Sequence, residues 1–233
     1  MLLLLLVFSM GIASVQASAA PVATAAKSAD GKIVTKGSDK YYRYKDGSYA
    51  KNTWIKIGKR SYYFLKSGRM AVRRMQKLSG KTYYFKANGT MATGFQKING
   101  KTYYFGTDGY ALKGMKKVDG KYYWFNKKYC YMYKNRRVTR ANGDIYYFGS
   151  DGVRYESGMT QVNENRKVHT YYFQKNGKAY KGWLTLEGKK YYFYKGSSAV
   201  SGTRAENITL TSSNRIVSVF NSAGVCMKQY KKK

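Results

Sequence analysis

The side chains best equipped for recognition chemistry in this sequence are aromatic rings at a regular spacing. The string Tyr-Tyr-Phe recurs with its closing ring at Phe64, Phe85, Phe105, Phe125, Phe148, Phe173 and Phe193; a degenerate copy ends at Phe220, and Tyr41-Tyr42-Arg43-Tyr44 adds one ahead of them. Such rings can stack on the apolar face of a pyranose or hold a cation against their π cloud. The second resource is positive charge: 44 Lys and Arg stand against 11 Asp and Glu, a formal net charge of +33. That balance points to an anionic partner. Rings beside cations suit a sugar polymer that carries phosphate or carboxylate groups.

Catalysis has little material to work with. The single histidine, His169, has no identifiable triad partners, and Cys130 lies in a turn without a nucleophile signature. No two carboxylates form a catalytic pair. Zinc requires four soft or imidazole ligands at short spacings and calcium requires clustered carboxylates, and neither pattern is present. The expectation is no metal, no cofactor and no enzyme activity. In an exported chain Cys130 and Cys226 could form a disulfide, but nothing in their flanks resembles a paired framework, and two isolated small apolar side chains are expected.

The elements that must position the rings follow from the turns. In the clearest unit, Gly94-Phe95-Gln96-Lys97-Ile98 and Lys101-Thr102-Tyr103-Tyr104-Phe105 flank Asn99-Gly100, a strong hairpin signal because both central residues of a type I′ turn need positive φ. Equivalent turns are expected at Ser79-Gly80, Asp119-Gly120, Asn142-Gly143 and Glu187-Gly188, and a second turn follows each Phe, as at Asn88-Gly89 and Asp108-Gly109. A lone hairpin is marginal in water, so neighbours must stack. The predicted fold is all-β, a β-hairpin solenoid of about nine repeats of about 20 residues over 41–225, with atypical ends. Alternation puts Tyr103 and Phe105 on one face and Thr102 and Tyr104 on the other, so part of every triplet must be core. Lys81, Lys101, Lys121 and Lys189 follow turn glycines, where a solvated charge blocks edge-to-edge pairing.

Outside the repeats, Met1 to Phe8 is apolar and Ala17-Ser18-Ala19 has the small-x-small form of a cleavage site, so residues 1–19 read as a signal peptide. The apolar run is shorter than the roughly 20 residues that span a bilayer, and no transmembrane anchoring is expected. Residues 20–40 read as a linker and 226–233 as a basic tail. The expected location is outside the cell, held on the wall without a covalent link. Basic charge with aromatics also suits single-stranded nucleic acid, but export sets that partner aside.

The unit Gly80-Lys81-Thr82-Tyr83-Tyr84-Phe85-Lys86-Ala87-Asn88-Gly89-Thr90-Met91-Ala92-Thr93-Gly94 resembles the cell-wall-binding repeats of Gram-positive bacteria. That superfamily includes choline-binding modules, glucan-binding repeats and the carbohydrate-binding tails of clostridial toxins. The resemblance implies shallow ligand sites between consecutive hairpins. In choline-binding members each site is an aromatic cage, built from the residue after the opening Gly, the residue before the Tyr pair, and a Tyr of the pair. Here the first wall is Trp54, Met75, Phe95, Met115, Met159 or Trp183, and the second is Ser61, Thr82, Thr102, Tyr122, Ile145, Thr170 or Lys190, so most units lack two of three walls. The resemblance also places the second Tyr of each pair on the ligand side. The candidate ring contacts are Trp54, Tyr63, Tyr84, Phe95, Tyr104, Tyr122, Trp124, Tyr147, Tyr172, Trp183 and Tyr192, with the strongest sites at Met115, Tyr122 and Trp124 in unit five and at Trp183 in unit eight. Asn163–His169 is expected as a longer loop carrying specificity. The function implied is non-catalytic attachment to cell-wall polysaccharide or teichoic acid. Choline and glucan are alternative ligands, and an adhesin or the binding module of a truncated wall hydrolase is the alternative role.

Overall fold

The computed structural model describes residues 30–233, and the expected signal peptide lies outside them. Every regular element there is a strand, and the strands pair with their sequence neighbours in nine sheets among the described residues. Two compact units result, one of the described residues to Gln96 with Tyr104–Ala111, the other of Lys97–Tyr103 with Leu112–Lys233. The first unit holds β1 (Gly31–Lys36) with β2 (Asp39–Tyr44), β3 (Thr53–Ile57) with β4 (Arg60–Phe64), and β5 (Arg74–Leu78) with β6 (Lys81–Phe85). The division runs through the fourth hairpin, β7 (Gly94–Ile98) with β8 (Lys101–Phe105). The second unit continues with β9 (Gly114–Val118) and β10 (Lys121–Phe125), β11 (Arg136–Thr139) and β12 (Ile145–Phe148), and β13 (Gly158–Glu164) and β14 (Lys167–Phe173). It ends with β15 (Gly182–Leu186) and β16 (Lys189–Phe193), then the three-stranded β17 (Ile208–Thr211), β18 (Ile216–Phe220) and β19 (Cys226–Lys231).

The two-residue turns behave as their sequences demand. Ser79/Gly80, Asn99/Gly100, Asp119/Gly120 and Glu187/Gly188 all take positive φ at both positions, the I′ pattern that matches the twist of the flanking strands. Asn142-Gly143 differs: only Gly143 has positive φ, and Arg140–Asp144 forms a longer turn closed by the Gly143 N–H donating to the Arg140 carbonyl at 2.9 Å. The loop expected over Asn163–His169 is instead strand. β13 and β14 lengthen to seven residues each and close on Asn165/Arg166, with φ of 53° and 66°. The stretch read as a linker contains β1, because Gly37 with φ 59° opens a tight turn back into β2. Likewise the 226–233 stretch contains β19, which covers the edge of β18.

Hairpins stack through the backbone. In the first unit the N–H groups of Met70, Met91 and Ala111 donate to the carbonyls of Lys40, Ser61 and Thr82 on the preceding hairpin, at 2.7–2.8 Å. In the second, Met132, Arg154, Ala179 and Arg204 do the same to Thr102, Tyr122, Ile145 and Thr170 at 2.7–2.9 Å. These rungs shift the first repeat by one residue: Arg43, not Tyr44, pairs as Phe64 does, so Tyr42 is its buried ring. The closing Phe is core in both units, with Phe64, Phe85 and Phe105 in one and Phe125, Phe148, Phe173 and Phe193 in the other all at 0% exposure. Burying each such ring contributes about 2–3 kcal/mol.

Candidate functional site

Strand register brings two of the three expected wall positions together. The residue after the opening glycine lies opposite the second Tyr position: Trp54 faces Tyr63, Met75 faces Tyr84, Met115 faces Trp124, Met159 faces Tyr172 and Trp183 faces Tyr192. Phe95 and Tyr104 meet edge to face with centroids 4.8 Å apart. The third position lies two residues earlier on the same strand, hence on the same face.

Packing then separates these rings into core and surface. Tyr63 and Tyr147 were expected to face a ligand, but they are 5% and 3% exposed. Tyr63 donates its hydroxyl to Asn52 Oδ1 at 2.6 Å, and Tyr147 stacks on Tyr155 with centroids 5.5 Å apart. Burial pushes both hydroxyls above the usual tyrosine range. The cause is the stack itself, because a neighbouring hairpin covers the face that alternation would leave to solvent. Trp54 is half-buried, with Tyr63, Tyr83 and Phe85 at 5.3, 5.1 and 5.5 Å, so its ring fills the space between the second and third hairpins. Tyr84 stacks on Phe105, and Tyr172 packs against Tyr180 and Phe193. The accessible members are Phe95 and Trp183, 42% and 41% exposed. Trp183 leans on Tyr192 and stacks on Phe220, beside a cavity of about 190 Å³ that Lys190 and Gln229 also line.

In unit five the expected site is already filled. The Arg154 guanidinium lies 4.0 Å from the Tyr122 ring centre and 5.7 Å from that of Tyr146, and its Nη1 donates to Met115 Sδ at 3.5 Å. Its side chain is 7% exposed and pairs with Glu156 at 2.6 Å. Trp124 packs on Phe148, with centroids 6.3 Å apart. Arg204 repeats the arrangement, donating to Met159 Sδ at 2.9 Å, lying 5.8 Å from the Tyr191 ring and pairing with Glu206 at 3.0 Å. Both arginines occupy the rung position that Met70, Met91 and Met132 fill elsewhere, against a turn glycine of the following repeat. Sequence reasoning missed them; the available signal was Arg-x-Glu at 154/156 and 204/206, two residues after the turn glycines Gly152 and Gly202. Other rings carry lysines: Lys36 sits 4.5 Å over Tyr49, Lys81 4.5 Å over Tyr110 and Lys101 4.6 Å over Tyr131.

A family profile described as the choline-binding repeat matches residues 72–108 and 92–128, and one described as a putative cell wall binding repeat matches 52–70. The repeats within residues 52–128 are cell-wall-binding repeats of the choline-binding type. Among solved structures, choline binding protein F from Streptococcus pneumoniae, crystallised with a peptidoglycan analogue, is 29% identical with a TM-score of 0.62. That likeness covers 81% of this chain and 61% of choline binding protein F, so the chain spans about three fifths of that relative's length. The choline-binding domain of CbpL from the same organism shares the fold at 24% identity and a TM-score of 0.57, over 84% of this chain and 96% of that domain. The modular autolysin LytC from Streptococcus pneumoniae shares it at 24% identity and a TM-score of 0.55, over 86% of this chain and 47% of LytC. No curated protein sequence matches the chain.

Choline-binding-type repeats form a binding module, and here the rung position between hairpins changes from Met at 70, 91 and 132 to Arg at 154 and 204. Among the described residues, no group of three or more His, Cys, Asp or Glu side chains gathers to hold a metal ion, and no helix is long and apolar enough to cross a membrane. Cys130 and Cys226 are both thiols, the first buried.

Proposed function

We propose that the chain is a secreted, non-catalytic protein that attaches to anionic envelope glycopolymers, teichoic acid or a glycan linked to peptidoglycan, without a covalent bond. The observation that carries this reading is that ring faces suited to a cationic ligand already hold the chain's own cations: Arg154 at Tyr122, Arg204 at Tyr191, Lys81 at Tyr110 and Lys101 at Tyr131. A cation on a ring gains about 0.5–2 kcal/mol, and an incoming ammonium would have to displace it. With 44 cations against 11 carboxylates, most positive side chains are left for phosphates or carboxylates of a ligand. Phe95 and Trp183 offer ring surface to sugar faces. Individual sites of this kind are weak, and repetition along a polymer raises overall binding by about 10²–10⁴.

A second reading, choline as the ligand, is favoured by the choline-binding repeat profile itself. Binding of the full chain to purified Gram-positive walls separates the two. Loss of binding on removing teichoic acid or raising salt, with no effect of soluble choline, is the expected result. Elution by choline at low salt would favour the second reading. Retention on insoluble glucan with none on walls would overturn both.

A further inference from the structure

The link after the fifth hairpin, Lys127-Lys128-Tyr129-Cys130-Tyr131-Met132-Tyr133-Lys134, places a ring at every second position, which no other link does. Counting along the repeat puts Tyr129 where the turn glycine belongs. The structure instead gives the left-handed conformation to Cys130, with φ 65°, so the link holds one more residue than its neighbours. Cys130 and Met132 point inward, 1% and 7% exposed. The Met132 N–H donates to the Thr102 carbonyl at 2.7 Å and the Tyr133 N–H to the Trp124 carbonyl at 2.8 Å, which pins Met132 and Tyr133 to the fourth and fifth hairpins. The rings of Tyr129, Tyr131 and Tyr133 follow one another in a ladder, with successive centroids 6.4 and 5.9 Å apart. Each has its own cation: Lys128 at 5.0 Å, Lys101 at 4.6 Å and Arg136 at 4.3 Å.

Beside this ladder lies a groove of about 420 Å³, lined among others by Lys97, Lys101, Tyr131, Tyr133, Lys134 and Arg136, with no carboxylate in its wall. Four cations around one concavity repel an ammonium and attract a phosphate. Tyr129, 57% exposed, gives the adjoining apolar platform. We infer that this groove and ladder form a dedicated subsite for a sugar-bearing phosphodiester, with the phosphate held by Lys101 and Arg136 and the pyranose stacked on Tyr129. This rests on the anionic-glycopolymer reading and adds a place and a chemical unit to it. The subsite is separate from the spaces between hairpins that Arg154 and Arg204 occupy.

The test uses the full chain and purified, glucosylated poly(glycerol phosphate) teichoic acid, with neutral dextran and an oligo(dT) single strand as comparison ligands, over a series of salt concentrations. Lys101→Gln/Arg136→Gln is expected to weaken teichoic acid binding about tenfold and to lower the slope of log affinity against log salt by about two, one for each cation touching phosphate. Tyr129→Ala is expected to weaken it by about tenfold with the slope unchanged, as loss of one stacking platform. A pair of exposed lysines in the first unit, Lys56→Gln/Lys77→Gln, carries the same charge change and should have little effect. Equal loss in both double variants would reduce the subsite to general charge, and no loss in any variant while the parent chain binds would place the ligand elsewhere. Tighter binding to oligo(dT) than to teichoic acid would overturn the ligand class. No binding of the parent chain to teichoic acid would remove the reading on which the subsite rests.

Discussion

Arg154 offers the sharpest test of the idea that the chain supplies its own cations. Replacing it with Ala removes a nearly buried guanidinium from Tyr122, worth about 2 kcal/mol when desolvated. It also removes an ion pair whose Glu156 partner is 39% exposed, worth at most about 1 kcal/mol. Adding lost packing of the apolar stem against Gly177, the total is about 3–4 kcal/mol, concentrated in the fifth to seventh repeats. Arg154→Met should cost about 2–3 kcal/mol, since Met132 fills the same position one repeat earlier and only the charge is lost. Urea unfolding followed by fluorescence, with Trp124 as a reporter close to the site, measures both. The decisive part is ligand response. In Arg154→Ala the vacated ring face should accept choline in the millimolar range, seen as a saturable fluorescence change that the parent chain lacks. An identical choline response in the two proteins, or an Arg154→Ala chain as stable as its parent, would show that the guanidinium is not occupying a cation site.

Gly109→Ala should destabilise by about 2 kcal/mol, because φ is +81° and the new Cβ meets the Met91 side chain, whereas Gly100→Ala, at φ +75° in open space, should lose about 1 kcal/mol; urea midpoints give the order, and Met91→Ala should recover part of the Gly109→Ala loss. Alkaline pH should unfold the protein. Burial raises the tyrosine hydroxyls of Tyr63, Tyr83, Tyr147, Tyr171 and Tyr194, most strongly at Tyr171, where the hydrogen bond to Glu164 adds to it. Above about pH 10 the unfolded chain releases these protons while the folded chain keeps them, so stability is full below that pH and falls as pH rises further. Thermal midpoints at pH 9 and 11, with a further step of phenolate absorbance accompanying unfolding at pH 11, check the sign.

How much of this was legible in the sequence depends on what each residue answers to. Ser79-Gly80, Asn99-Gly100, Asp119-Gly120 and Glu187-Gly188 answer to local backbone sterics, so the hairpins and their turns could be read directly. The side of each strand also followed from alternation, and every closing Phe of the Tyr-Tyr-Phe strings is core. Whether a ring on the other side meets solvent does not follow, because a neighbouring hairpin decides it: Tyr147 is buried while Tyr192, at the same position, is half-buried. Unit five looked richest in free ring surface for the same reason. The residue that fills it, Arg154, lies 32 positions beyond Tyr122 and reaches it only through the backbone rung to that residue's carbonyl. β1 was hidden by the composition of its surroundings, although Gly37 carries the same turn signal as Gly58.

The rungs between hairpins run from main-chain N–H to main-chain carbonyl, and the acceptors belong to residues as unlike as Lys40, Ser61, Thr102, Tyr122 and Ile145. Assembly is therefore blind to the side chain at that position, which is also the one that faces whatever lies between two hairpins. Folding and ligand choice are written in separate alphabets along the same strand. A protein built this way can change one recognition site by point substitution and leave the others as they were. It can thus present a row of unlike sites, suited to a polymer whose own units are not all alike.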